Sequence, residues 1–144
     1  ARKQKRSFHV IHFGSSSEIY HMDFSSPELI SVERVIEFAE VFFGGGTDFM
    51  SPLRMSLDIL KRDHLQQGLV NADIVFATDG MCSVTPQFME EFKSEQKKLG
   101  FKVWGINIGG RAKVQPLNDI CDGHVATISS LVNGENVRSI FGSL

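Results

Sequence analysis

Apolar and polar positions follow two periods along this chain, and the switch between them marks the elements. Residues 7–13 carry Phe8, Val10 and Ile11 and read as a strand, ended by Gly14-Ser15-Ser16-Ser17. Residues 18–24 alternate less cleanly through Ile19, Met22 and Phe24 and read as a short edge strand. Ser26-Pro27-Glu28 then opens a helix, with Ser26 as cap and Pro27 in the first turn. Leu29, Val32, Ile36, Ala39 and Phe43 recur at helical spacing and predict one buried face; Gly44, Gly45 and Gly46 stop the helix.

A second helix is predicted over Pro52–Lys61, with Ser51 as cap and Leu53, Leu57 and Leu60 on one face; Asp63–Asn71 is polar and reads as loop. Ala72–Ala77 is nearly all apolar, the mark of a strand covered on both faces and hence of a parallel sheet. Thr85-Pro86 caps a third helix that reaches Leu99, buries Phe88, Phe92 and Leu99, and stops at Gly100. Its acidic Glu90 and Glu91 lie early and its basic Lys97 and Lys98 late, as the helix dipole favours. Phe101–Ile108 and His124–Ile128 read as further strands, and Val132–Phe141 as a weak terminal helix. This alternation predicts an α/β domain with a mostly parallel sheet and helices on both faces, where ligands sit beyond the C-terminal ends of the strands.

Composition narrows the function classes. A chain of 144 residues with 42% hydrophobic content and 12 Phe is long enough for one domain with a real core. The formal net charge of −2 gives no overall basic footprint for nucleic acid. Arg2, Lys3, Lys5 and Arg6 form a local basic cluster, read as a solvated helix end. Cys82 and Cys121 make no Cys-x-x-Cys pair, which disfavours zinc bound through thiolates. No apolar run approaches the ~20 residues of a membrane-spanning helix, and no signal peptide is visible, so a reducing cytoplasmic setting is expected. P-loop and dinucleotide fingerprints do not occur. His9 and His12 fall on opposite faces of a strand, and His21, His64 and His124 read as isolated structural or surface residues.

Two segments carry candidate chemistry. Gly44-Gly45-Gly46-Thr47-Asp48 lets the backbone approach a ligand closely, and Thr78-Asp79-Gly80 ends an apolar strand. A Thr hydroxyl and an Asp carboxylate are oxygen donors of the kind a hard cation such as Mg²⁺ takes; equally, Thr-Asp ahead of a helix suits a cap. The stretch from Phe43 to Asp48, the helix after it, Asp73-Ile-Val-Phe-Ala-Thr-Asp-Gly80 and the strand Val103–Ile108 run in the order of von Willebrand factor type A domains, and Arg6–Ser15 is similar to that family's second strand. The chain resembles most the bacterial CoxE-like and ViaA-like members. The resemblance implies a single, partial domain over residues 1–144, Rossmann-like and three-layered. It implies a metal-ion-dependent adhesion site in which Thr47 ligates Mg²⁺ or Mn²⁺ and Asp79 holds it directly or through water. It implies a non-catalytic protein-binding role beside a MoxR-type AAA+ ATPase or that ATPase's client.

One motif of that family, Asp-x-Ser-x-Ser, does not occur in this sequence. Asp23-Phe24-Ser25-Ser26-Pro27 has the wrong spacing and reads as a strand-to-helix cap. The resemblance makes residues 1–6 the tail of the family's first helix, with the first strand and its motif upstream. That strand is central in the family's order 3-2-1-4-5-6, so its place must be filled by another chain or segment, or the remaining strands must close up. A second reading is a small hydrolase or phosphoryl-transfer enzyme using Asp79, with Arg54 or Arg111 holding phosphate. Cys82, three residues after Asp79, has no base beside it in sequence to make it a nucleophile. RNA binding through this chain is disfavoured by its near-neutral charge.

Overall fold

The computed structural model describes residues 7–26, 30–67, 72–109 and 115–128. The chain divides into two compact units, Ala1–Ala72 and Asp73–Leu144.

In the first unit, β1 (His9–Phe13) and β2 (Ile19–Asp23) form an antiparallel hairpin in which His9 faces Asp23, Ile11 faces His21 and Phe13 faces Ile19. The turn closes through Gly14 N–H to Glu18 O and Glu18 N–H to Ser15 O, both 2.9 Å. Strand alternation then sorts the side chains. His12 and Tyr20 point to one face and meet Phe38 of α1 (Val32–Glu40), with ring centroids 3.9 and 5.7 Å away. His9, His21 and Asp23 point to the other face, towards α2 (Met50–Gln67).

Both helices differ from expectation. The described part of α1 is shorter than the span read from sequence, and its cap is Ser31, whose side chain accepts from Arg34 N–H at 3.2 Å. Pro27, Glu28 and Leu29 lie outside the described residues. The predicted buried face is not buried: Val32 is 71% and Ile36 52% exposed, and Phe38 is the residue that docks. The apolar stripe is real, but the two-stranded hairpin offers it room for one aromatic. The helix also ends before the glycines, with Val41 as its C-cap. Helix α2 overruns its predicted limits at both ends. Asp48, not Ser51, caps it, and residues 63–67, expected as loop, complete its last turns because buried Asp63 is satisfied by ion pairs. Leu53 and Leu57 are buried as read, joined by Ile59, whereas Leu60 is half-buried.

The second unit is α/β: β3 (Ile74–Thr78), α3 (Pro86–Leu99), β4 (Val103–Ile108), α4 (Gln115–Ile120) and β5 (Val125–Ile128). Its three strands are parallel in the order β3-β4-β5. Helix α3 has the expected ends: the Thr85 hydroxyl accepts from Phe88 N–H, and Gly100 takes the left-handed φ of 73°. Phe88 and Phe92 are its buried stripe. Helix α4 is too short to show a period in the sequence.

Right-handed crossovers between sequential neighbours put α3 and α4 on the same face of this sheet. Burial agrees. Ile74, Phe76 and Thr78 are buried, and their partners in register, Val103, Gly105 and Asn107, are buried too. Gly105 is required there, because a Cβ would lie 2.9 Å from Cys121 Sγ and from Val125 Cγ2. On the opposite face Val75 is 43% exposed and Ala77 is exposed. The strand expected to be covered on both faces is therefore covered on one, although its parallel pairing is as read. The basic cluster at residues 2–6 and the helix read over Val132–Phe141 lie outside the described residues. No helix among the described residues is long and apolar enough to cross a membrane.

Candidate functional site

The Gly-Gly-Gly-Thr-Asp loop is pinned to the hairpin turn. Asp48 N–H donates to Gly14 O at 2.7 Å. Glu18, at the same turn, accepts from the Ser15 N–H at 2.9 Å and the Ser15 hydroxyl at 2.8 Å. Those two bonds, and then the Gly45 N–H, hold the Glu18 carboxyl below the ordinary range. Asp48 is engaged as a helix cap: its carboxylate accepts from Met50 N–H at 3.0 Å, from Ser51 N–H at 3.2 Å and from the Ser51 hydroxyl. Thr47 beside it is half-buried, and its hydroxyl has no hydrogen bond to another described residue.

Asp79 lies in the second unit, immediately beyond the C-terminal end of β3. It is exposed and pairs with no described residue. Thr78 turns inward, with its hydroxyl accepting from Gly80 N–H at 3.1 Å. Its partner in register, Asn107, is 0% exposed, and neither polar atom of its amide has a hydrogen bond among the described residues. A hydroxyl, a carboxylate and an amide thus gather at one end of the parallel sheet. Thr47 and Asp79 belong to different units. Arg54 is exposed on α2 of the first unit, while Arg111 lies outside the described residues. Cys82 donates its S–H to Ser83 O at 3.2 Å. Cys121 is buried, which pushes its thiol up to about 12, so it is no nucleophile.

The best-formed cluster was not read from the sequence. His9 and His21 are diagonal neighbours across the hairpin, with His9 Nδ1 and His21 Nε2 3.1 Å apart. His9 Nδ1 also lies 3.6 Å from Asp23 Oδ1, and His9 Nε2 lies 3.4 Å from Asp63 Oδ2. Asp63 is 5% exposed and accepts from Arg62 Nη2 at 3.2 Å through its other oxygen. His9, Asp23, Arg62 and Asp63 line a cleft of about 300 Å³ together with Ser7, Ser25 and Gln66. Burial, then the charge of His9, depresses the His21 pKa, opposed by Asp23 and assisted by Arg62. For Asp23, burial works upward, but the Ser25 hydroxyl and N–H, then His9 and Arg62, win and hold the carboxyl low. Among the described residues no three or more His, Cys, Asp or Glu side chains are grouped to hold a metal ion.

Two archaeal proteins are similar in sequence. The uncharacterized protein MJ0077 of Methanocaldococcus jannaschii is 39% identical over 93 residues, 65% of this chain and 21% of its own length. The uncharacterized protein MJ0811 of the same organism is 30% identical over 106 residues, 74% of this chain and 23% of its own length. The chain thus matches less than a quarter of either relative. No protein-family model matches it.

Proposed function

We propose that this chain is a non-catalytic interaction module of the von Willebrand factor A kind. In this reading Asp79 helps to hold Mg²⁺ or Mn²⁺, a role the resemblance also gives to Thr47, and a carboxylate from a protein partner completes the ion's shell. The observation that carries the reading is Asp79: an exposed carboxylate, unpaired among the described residues, at the C-terminal end of a parallel strand. Ligands of open α/β sheets are found in that position. The hydroxyl of Thr47, without a hydrogen bond among the described residues, next to a capping Asp48 fits a division of labour in which Asp48 fixes the loop and Thr47 faces a ligand.

The finer fold assignment, a Rossmann-like three-layer domain lacking one central strand, draws support from β3 standing, among the described residues, at the edge of its sheet. The absent strand comes, in this reading, from another chain or segment. By resemblance the partner is a MoxR-type AAA+ ATPase or its client, and the setting is cytoplasmic. Calorimetry with Mg²⁺ and Mn²⁺ tests the proposal. The expected result is binding at millimolar concentrations or tighter that Asp79→Ala abolishes and Thr47→Ala weakens, with unchanged thermal unfolding. Absence of ion binding, or binding that survives Asp79→Ala, overturns it.

A further inference from the structure

We infer that α1 docks a basic amphipathic helix of a protein partner, seated on the exposed apolar stripe of α1 and paired with the carboxylates beside it. This surface is separate from Thr47 and Asp79, and it needs no metal ion.

Three observations converge. The first is an apolar face that the fold leaves open. Successive residues of an α-helix turn by about 100°, so Val35, Ala39, Val32 and Ile36 follow one another around α1 within an arc of roughly 100°. They stand at the i, i+3, i+4 and i+7 positions through which helices seat on a partner. Val32 is 71%, Ile36 52% and Val35 38% exposed, and Ala39 is exposed too.

The second is that this face is held in place. Phe38, beside Val35 around the helix, packs its ring on His12, Tyr20 and Phe24, with centroids 3.9, 5.7 and 5.7 Å away. The helix cannot roll its stripe onto the hairpin without withdrawing Phe38. A surface already ordered loses less freedom when a partner binds.

The third is charge, which selects the occupant. Beyond Ile36, Glu40, Glu33 and Glu37 follow around the helix, roughly 80–140° from Val32. All three are exposed, and none pairs with a cation among the described residues. Arg34, the one cation of α1, lies behind them at about 200°. A second copy of the chain would add its own three carboxylates to the seam, and an anionic membrane would be repelled by them. A helix with Lys or Arg beside its apolar stripe complements both the stripe and the acidic flank.

The test is methyl NMR of the whole chain, with EDTA present, titrated with a synthetic helical peptide. The peptide carries Leu at four such positions and Lys beside them; a matched peptide carries Glu in place of Lys. The Val32, Val35 and Ile36 methyls are expected to shift saturably with the Lys peptide, while Ile74 of β3 stays unmoved. Ile36→Glu, a change at an exposed position checked by unchanged thermal unfolding, should weaken binding about tenfold or more. Glu33→Gln, Glu37→Gln and Glu40→Gln together should remove the preference for Lys over Glu, and added NaCl should erode it. Asp79→Ala should change nothing, so loss of the ion proposal would leave this one standing. The inference falls if the Glu peptide binds as tightly as the Lys peptide, or if the shifted methyls lie off α1. It falls equally if the α1 methyls report self-association on dilution without peptide, or shift on phosphatidylglycerol vesicles.

Discussion

Replacing Asp48 by Ala separates the structural from the functional half of the Thr47-Asp48 pair. Its carboxylate accepts two backbone N–H groups and one hydroxyl at the start of α2. Loss of a cap of this kind costs about 1 kcal/mol, with a range of ~0.5–2. Loss of a negative charge at a helix N-terminus adds about 0.3–1 kcal/mol. The expected destabilisation is therefore roughly 1–2 kcal/mol, which for a unit of this size lowers the melting temperature by about 4–16 °C. Asp48→Asn keeps an acceptor and loses the charge, so it should cost less than ~1 kcal/mol. Thr47→Ala removes a hydroxyl with no hydrogen bond among the described residues and should fall within ~0.5 kcal/mol of the parent. Urea and thermal unfolding monitored by circular dichroism read all three. The reasoning is refuted if Asp48→Ala is neutral, or if Thr47→Ala is as damaging. A neutral Asp48→Ala that abolishes Mg²⁺ binding would make Asp48 a ligand instead of a cap.

Two further outcomes follow from buried polar groups. Asn107 is enclosed with both amide atoms unpaired among the described residues, so Asn107→Leu should be neutral or stabilising in urea unfolding; a loss above ~1 kcal/mol would mean the amide has a partner. His12 and His21 both titrate below their ordinary value because burial disfavours the charged ring. The unfolded chain then takes up protons first, at about pH 6.5, so their stabilising contribution is complete above that pH and is lost as pH falls through the lower folded values. The urea midpoint of the first unit should drop between pH 7.5 and 5.5, and less so in His12→Phe; a flat profile would refute the assignment.

Where a segment of the sequence carried its own stop signals, the structure repeats the reading. Thr85-Pro86 and Gly100 bracket α3 almost to the residue, because cap chemistry is local. The strands behave likewise, since β-branched and aromatic runs bounded by turns need no distant information. What failed was long-range. The stripe on α1 announces a buried face, but burial depends on how much surface a neighbour offers, and the hairpin takes only Phe38. Residues 63–67 looked like loop because Asp63 is polar, yet its partners are His9, more than fifty positions earlier, and Arg62. The His9–His21 pair could have been found by folding the hairpin on paper. A turn at Gly14–Glu18 sets His9 opposite Asp23 and leaves His21 one diagonal step away. Asp63 could not, since nothing in the sequence assigns it to that face.

The edge of β3 that pairs with no described strand is where the fold and the proposed function meet. Ile-Val-Phe-Ala-Thr has no charge and no proline to guard an edge, and natural sheets seldom leave such a strand uncovered. In β3 the backbone groups alternate in direction. Ile74 N–H bonds to Lys102 O at 2.9 Å, so the amides of residues 74, 76 and 78 face β4, and those of Val75 and Ala77 face outward. Hydrogen exchange reads this directly. In the isolated chain, Ile74 and Phe76 amides should exchange slowly and Val75 and Ala77 fast, on strands that are otherwise equally regular. Supplying the strand that the proposed fold calls for, from a partner or from another segment, should slow Val75 and Ala77 specifically. If those two amides are already protected in the isolated chain, the edge is closed. The case for a strand supplied from outside then ends, whatever the ion measurements show.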